Sequence, residues 1–438
     1  MTNRKLAVAA ISELNQDERA NLINRFEVAI AEESGAYGRT ALDALEEQVE
    51  ELEAEVSTRT TWRFEDDADG FLHSTLRKLV AEIEAFEQEE VVAVRRRLTW
   101  SERVEELTIT RYREKWNEAR LAILRADGVT ASELYREVPI DLIPQMGLVP
   151  IGMNPVTRLW EFYHLRSAWD GTSDPAEIAL PTHREDGSIQ VTGDTGIVFV
   201  LLPGSTLWLG AQKSDPTGPN YDEHATPDVT PRKVDVAPFL LARHEMTQGQ
   251  WSRLWIGDEG LRRPSTYGSG FLGGGMAAAV KASHPVENVS WIMSNETVTR
   301  HGLALPTEEQ WEHGCRGMTT TPYSCDFADL KDFANVADAS AKRAGVSWTL
   351  ETWSDGYLVH APVGTFGANR FGLHDVHGNI CEWCLEPNRG TTTRIYRSGS
   401  FDSPAIYART AFRSGNAPQF RTTNVGLRPA RTLRLRDE

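Results

Sequence analysis

The chain has 438 residues, 40% hydrophobic and 25% charged, an ordinary globular composition that predicts two or three domains at roughly 150 residues each. Sixty-three acidic against 46 basic residues leave a net charge of −17, which repels nucleic acid and anionic lipid at long range and excludes both as expected partners. No run reaches the ~18–20 apolar residues of a membrane span, and Leu6 to Ile11 is too short for a signal-peptide core, so the expected compartment is the cytoplasm.

The first 130 residues read as an all-α bundle. Asn15 to Ala31 has helical periodicity, with Leu22, Ile23 and Phe26 on one face. Leu42, Leu45, Val49, Leu52 and Val56 then form a short heptad seam among Glu and Gln. About two heptads span roughly 20 Å, which favours an antiparallel partner in the same domain and permits a dimer without requiring one. A second series follows at Leu72, Leu76, Leu79, Ile83 and Phe86, with weaker periodicity through Leu98, Val104, Leu107, Trp116, Leu121 and Leu124.

Helical periodicity fades at Asp127-Gly128, and VPIDLIPQMGLVPIGMNP from Val138 opens a connector placed at 131–195. Trp160-Glu161-Phe162 and the run Ile197 to Leu202 read as strands, and the polar stretch Thr172 to Thr195 as an exposed, cleavable linker. A last domain is placed at 196–438. In it, Pro306-Thr307-Glu308-Glu309 is a helix start with Thr307 as cap, and Trp311 points inward. The arginines crowding the end, Arg409, Arg413, Arg421, Arg428, Arg431, Arg434 and Arg436, could form a basic patch, but ion pairing in the core is expected for the first four.

Blocks of this last domain, in order, are GIVFVLLPGSTLWLGA from Gly196, PRKVDVAPFLLARHEMTQGQW, HPVENVSW from His284, LALPTEEQWEHGCRG from Leu303, FGLHDVHGNICEW from Phe371, RSGSF from Arg397 and FRSGNAPQFRTTNVGLRPAR ending at Arg431. In that order they resemble the sulfatase-modifying-factor, or formylglycine-generating-enzyme-like, family. The resemblance implies an α+β, C-type-lectin-like domain behind the helical bundle, with much irregular loop. It also implies two calcium sites. One would use the side chains of Asn335 and Asp355 and the carbonyls of Val336 and Tyr357; the other would use Asn379 and Glu382. Read without the family, Asn379 is a left-handed turn residue and Glu382 the partner of a buried Arg.

The family's enzymes oxidise a substrate cysteine with copper(I) held by two thiolates, which in the family follow the glycine-serine-aromatic motif. Counting from Phe401 places Ser403 and Ala408 at those positions, and neither a hydroxyl nor a methyl group is a soft ligand. Cys381 and Cys384, three apart with no second such pair, read as buried thiols rather than a zinc or copper site. Cys315 resembles a position that forms a disulfide in secreted relatives, but its matching position is Pro429, consistent with a reducing compartment. Another branch of the family holds iron with several histidines on an N-terminal helical domain, whereas the first 130 residues here contain His73 alone.

IPQMGLVPIG followed by LWEFYHL resembles the connector that joins this module to kinase domains in large bacterial Ser/Thr kinases. The expected function is a non-catalytic binding or regulatory protein in a bacterial signalling or defence cascade. Calcium is its expected structural metal, copper is not expected, and a protein or peptide partner, a kinase or protease among the options, would sit in a groove of Ser403, Tyr407, Arg413, Asn416 and Asn424. The alternative is a divergent formylglycine-generating oxidase using Cys381, Cys384 or His377.

Overall fold

The computed structural model describes residues 66–226, 230–267, 280–344, 346, 348–388 and 390–436. The heptad seam Leu42–Val56 and the helix at Asn15–Ala31 lie outside the described residues. The chain divides into two compact units, Met1–Val92 and Ala93–Glu438.

In the first unit, α1 (Asp67–Phe86) is capped by Asp66, whose carboxylate accepts from Ala68 N, and it has no buried residue. A π turn, Glu87–Val91, follows it.

The second unit opens with α2 (Val92–Glu105) and α3 (Arg113–Arg125). The buried face of α3 is Trp116, Ala119, Ala122 and Ile123, while Leu121 and Leu124, expected to be inward, are 48% and 44% exposed. The two alanines let the helix approach closely, and the Trp116 ring stacks on Phe162 at 5.3 Å.

Phe162 lies on β2 (Trp160–His164), which pairs antiparallel with β1 (Leu148–Met153). Both belong to a five-stranded antiparallel sheet ordered β1-β2-β3-β6-β11, with β3 (Val198–Leu202), β6 (Phe239–Ala242) and β11 (Ala430–Thr432). Helices α2 and α3 and the connector strands thus pack in one compact unit with the C-terminal sheet. Pro150 and Gly152 mark the bulge on β1, an edge strand, where a missing N–H is tolerated. The expected linker is also pinned: His183 Nε2 lies 3.1 Å from Glu161, Arg243 and Asn154 donate to the Gly187 carbonyl, and Ile189 is buried.

Two small sheets complete the unit. One is the pair β4 (Ser205–Leu209) and β5 (Arg232–Val236). The other is ordered β10-β7-β8-β9, from β7 (Cys381–Pro387), β8 (Arg394–Arg397), β9 (Ser414–Asn416) and β10 (Val425–Gly426). Helix α4 (Glu308–Arg316) has the expected Thr307 cap, closed into a box: Thr307 accepts from Gln310 N while Gln310 accepts from Thr307 N, and Trp311 is buried.

Candidate functional site

The loop after β8 carries the positions that would hold copper in the family. Ser403 Oγ lies 2.9 Å from Ser400 Oγ, and Ser400 donates to Asp402 Oδ1 at 2.6 Å. Asn424 donates to both oxygens of Asp402, at 2.9 and 3.0 Å. A serine hydroxyl within a hydroxyl, amide and carboxylate network therefore stands where soft sulfur would be needed. Ala408 is fully buried, in a cluster with Tyr323, Leu330, Ala334, Val336 and Ala405.

The substitute ligands of the oxidase alternative fare no better. His377 donates from Nδ1 to the Ala408 carbonyl at 2.7 Å, so Nε2 is its acceptor, receiving Ser324 N–H at 3.0 Å and Ser324 Oγ–H at 2.8 Å. Neither nitrogen is left for a metal. Cys381 and Cys384 are three apart on β7, where alternate side chains point to opposite faces, so they cannot grip one ion. Burial pushes the Cys381 thiol up to about 12 and Cys384 well above the ordinary thiol value. Among the described residues no group of three or more His, Cys, Asp or Glu is arranged to hold a metal ion.

Of the expected groove, the structure brings together Ser403 and Asn424, through Asp402 and Ser400. Tyr407 is exposed, edge-on to Phe412 at 5.0 Å. Arg413 is engaged by both oxygens of Glu308, at 2.7 and 3.1 Å, and Asn416 is paired with Arg394 between β9 and β8. Arg413 is thereby tied into the framework, because the carboxylate at the start of helix α4 takes its guanidinium, while Asn416 is placed on the edge strand β9. Arg409 pairs with Asp222 and Arg428 with Glu382, as expected, whereas Arg421 is exposed.

At the first calcium position the residues do converge. The Asn335 side chain is buried and donates to the Val359 carbonyl and to Asn379 Oδ1, both at 3.1 Å, while its own Oδ1 has no hydrogen-bond partner. Asp355 accepts from Val336 N at 3.2 Å and Tyr357 N at 2.8 Å, and Asp338 accepts from Asp355 N. Burial, with the Asp338 charge adding to it, raises the Asp355 carboxyl to about 7. The orphaned amide oxygen of Asn335 and the crowded carboxylate of Asp355, which holds the backbone of the next residue, Val336, are hard oxygen donors of the kind calcium takes. Gly378 makes the convergence possible: its φ is 82°, and a Cβ there would lie 2.0 Å from the Asn335 carbonyl oxygen.

The second calcium position does not fit. Asn379 has φ 60°; its Oδ1 accepts from Asn335 and Ala361 N, and its Nδ2 donates to Glu245. Glu382 accepts from Arg428 through both oxygens and from Trp311 Nε1 at 2.6 Å. Its charge is already neutralised, so the family-based expectation gives way to the simpler reading of both residues.

One buried group was missed in the sequence. Glu287 is fully buried with both carboxylate oxygens unpartnered, 3.7 Å from the equally unpartnered Nε2 of His360. His360 Nδ1 lies 3.0 Å from His284 Nδ1, and burial followed by the His360 charge lowers His284 to about 4. The only hint was a lone Glu inside the apolar block HPVENVSW.

The model of the sulfatase-modifying factor enzyme 1-like domain matches residues 191–433, more than half of the chain. The chain belongs to this sulfatase-modifying-factor family. Its expected α+β, C-type-lectin-like fold is thereby the fold of the matched domain. The chain is 29% identical over 294 residues to the formylglycine-generating enzyme of Thermomonospora curvata, covering 53% of this chain and 92% of that protein. It is also 29% identical over 202 residues to the inactive C-alpha-formylglycine-generating enzyme 2 of Bos taurus, covering 43% and 62%. The serine/threonine-protein kinase pkn1 of Chlamydia caviae is 27% identical over 173 residues, covering 35% and 25%. The chain spans about half the length of several other curated relatives, among them 45% of the formylglycine-generating enzyme of Mus musculus. Among solved structures, PvdO from Pseudomonas aeruginosa gives a TM-score of 0.43 at 19% identity, covering 54% of this chain and 95% of that one.

Proposed function

We propose that this sulfatase-modifying-factor protein is a non-catalytic binding module, its loops around Asp402, Ser403 and Asn424 taking a protein or peptide partner. The observation that carries the reading is the loss of both thiolate positions. Ser403 and Ala408 occupy them, and the remaining cysteines near the site are buried, raised and unable to meet at one ion. Function on a shared scaffold follows the site rather than the fold. The relative named inactive supports the reading, and the resemblance to a kinase supports a place in a bacterial signalling or defence cascade, with a kinase or protease as partner.

Calcium at Asn335, Val336, Asp355 and Tyr357 is part of the proposal, as a structural ion that fastens the 335–357 loops against the Gly378 turn. The unpaired thiols of Cys315, Cys325, Cys381 and Cys384 favour a cytoplasmic place. The second reading, a divergent oxidase of a protein cysteine, draws on the 29% identity to a formylglycine-generating enzyme over nearly that protein's whole length. Oxygen consumption with copper(I) and a cysteine peptide separates the two. The binding module gives none above background, and steady copper-dependent turnover would establish the oxidase.

A further inference from the structure

Separate stretches of the second unit bring basic side chains together beside the five-stranded sheet. His164 ends β2, and Arg166 lies on the short helix that follows it, Leu165–Ala168. Arg253, from the helix Gln248–Leu254, donates to the Ser167 carbonyl at 2.6 Å, and His301 Nε2 donates to the neighbouring Leu254 carbonyl at 2.8 Å. Arg431 of β11 donates to the Met146 carbonyl at 2.8 Å, next to Gly147, whose own carbonyl accepts from Leu165 N. Arg97 arrives on α2, one turn before Trp100, which stacks on Trp169 at 5.3 Å; the Arg166 guanidinium lies 5.2 Å from that same Trp169 ring. We propose that this cluster binds a multiply charged oxyanion, with phosphate as the simplest member of the class.

Missing counter-charge is the first argument. The chain has 63 acidic residues, yet among the described residues no carboxylate pairs with Arg97, Arg166, Arg253 or Arg431. Arg166 Nη1 and His164 Nδ1 are buried without a hydrogen-bond partner. Burial, then Arg97 and Arg253, pulls Arg166 down to about 10, and burial, then Arg434, does the same to Arg431. Burial, followed by Arg431, His301 and Arg166, holds His164 well below the ordinary histidine value. Asp194 and Asp170 lie near Arg253, but its nitrogens donate instead to the carbonyls of Ser167, Gly193 and Thr195. Part-buried cations crowded together without a partner cost stability, and an anion seated among them offsets that cost.

Donor chemistry chooses the class of ligand. Guanidinium groups present planar forks that meet phosphate or carboxylate oxygens two at a time, and partial burial strengthens each charge-assisted bond. Several unpaired cations in one place favour a ligand with more than one negative charge. His164 adds a buried ring nitrogen that donates when it carries the proton. Arg97 is exposed, so the cluster reaches solvent. The site is independent of the loops around Asp402, which leave the four-stranded sheet after β8.

Calorimetric titration of the full chain with inorganic phosphate in low-salt buffer tests the site. Saturable binding near one phosphate per chain is expected, with acetate at equal ionic strength giving none. Arg166→Gln should weaken phosphate binding by about tenfold or more. Arg97→Gln, a change at an exposed residue that leaves the core intact, should weaken it by about threefold or more. Arg120→Gln, whose guanidinium is paired with Asp141, should leave it unchanged. Phosphoserine bound more tightly than phosphate would make the source a phosphorylated side chain, and the reverse order a free ion. No saturable phosphate binding, parental affinity in both Arg166→Gln and Arg97→Gln, or an equal loss in Arg120→Gln would each overturn the proposal.

Discussion

Arg428 and Glu382 form a fully buried ion pair, Nη2 to Oε1 at 2.7 Å, with Trp311 Nε1 donating to the other carboxylate oxygen at 2.6 Å. This pair ties the end of the chain to β7 and α4. Replacing one member strands the other charge in the core. Glu382→Gln is therefore expected to cost about 3–5 kcal/mol of stability, measured by denaturant unfolding, with calcium affinity per folded molecule unchanged. A selective loss of calcium with stability intact would make Glu382 a metal ligand after all.

Calcium binding at the first position should depend on Asp355. Its carboxyl is raised to about 7 by burial and then by Asp338, so binding must displace a proton near neutrality. Calorimetry in buffers of different ionisation enthalpy should show proton release at pH 7, and affinity should weaken between pH 8 and 6. Asp355→Asn should reduce affinity by about tenfold or more, whereas wild-type affinity in that variant would remove Asp355 from the site.

Folding stability should also carry a signature of Asp375. Burial raises this carboxyl to about 7 in the fold, above its value of about 4 in an unfolded chain. The folded state then holds the extra proton, so this contribution is fully present below about pH 4 and is lost as pH rises through about 7. Glu161, Glu308 and Glu312, lowered in the fold against the opposing effect of burial by His183 and arginine partners, act in the opposite sense, their contribution lost only in acid. The Asp375→Asn variant should therefore lose less stability than the parent between pH 5 and 8 in thermal melts. Parallel profiles would mean that Asp375 is ionised throughout.

The stretch 172–195 should resist limited proteolysis. Its ties to Glu161, Arg243 and Asn154 and the buried Ile189 hold the backbone against the sheet. Rapid cutting there by trypsin at Arg184, ahead of global unfolding, would contradict that anchoring.

Local chemistry was legible in the sequence where neighbours along the chain decide the outcome. Thr307 as a helix cap, the inward Trp311 and the left-handed Asn379 were all read from local sequence. Glu382 was read two ways, and the buried-Arg reading is the one the packing satisfies. The joining of the connector strands to the C-terminal sheet was not legible, because β1 and β2 owe their place to pairing with β3, a contact no local pattern announces. The same holds for Asp402 with Asn424 and for Glu287 with His360, whose partners meet only when separate loops close. Arg413 was assigned to the groove from its position in a family block, yet Glu308 had the prior claim on it.

The absence of thiolate ligands at Ser403 and Ala408 is the centre of this account, and copper(I) binding measures it most directly. Titration of the reduced, full-length protein with copper(I) against a competing chelator should show no tight stoichiometric site, and Cys381→Ser with Cys384→Ser should change nothing. One tightly bound copper per chain, lost in that double variant, would contradict the account and make the protein an oxidase with relocated ligands.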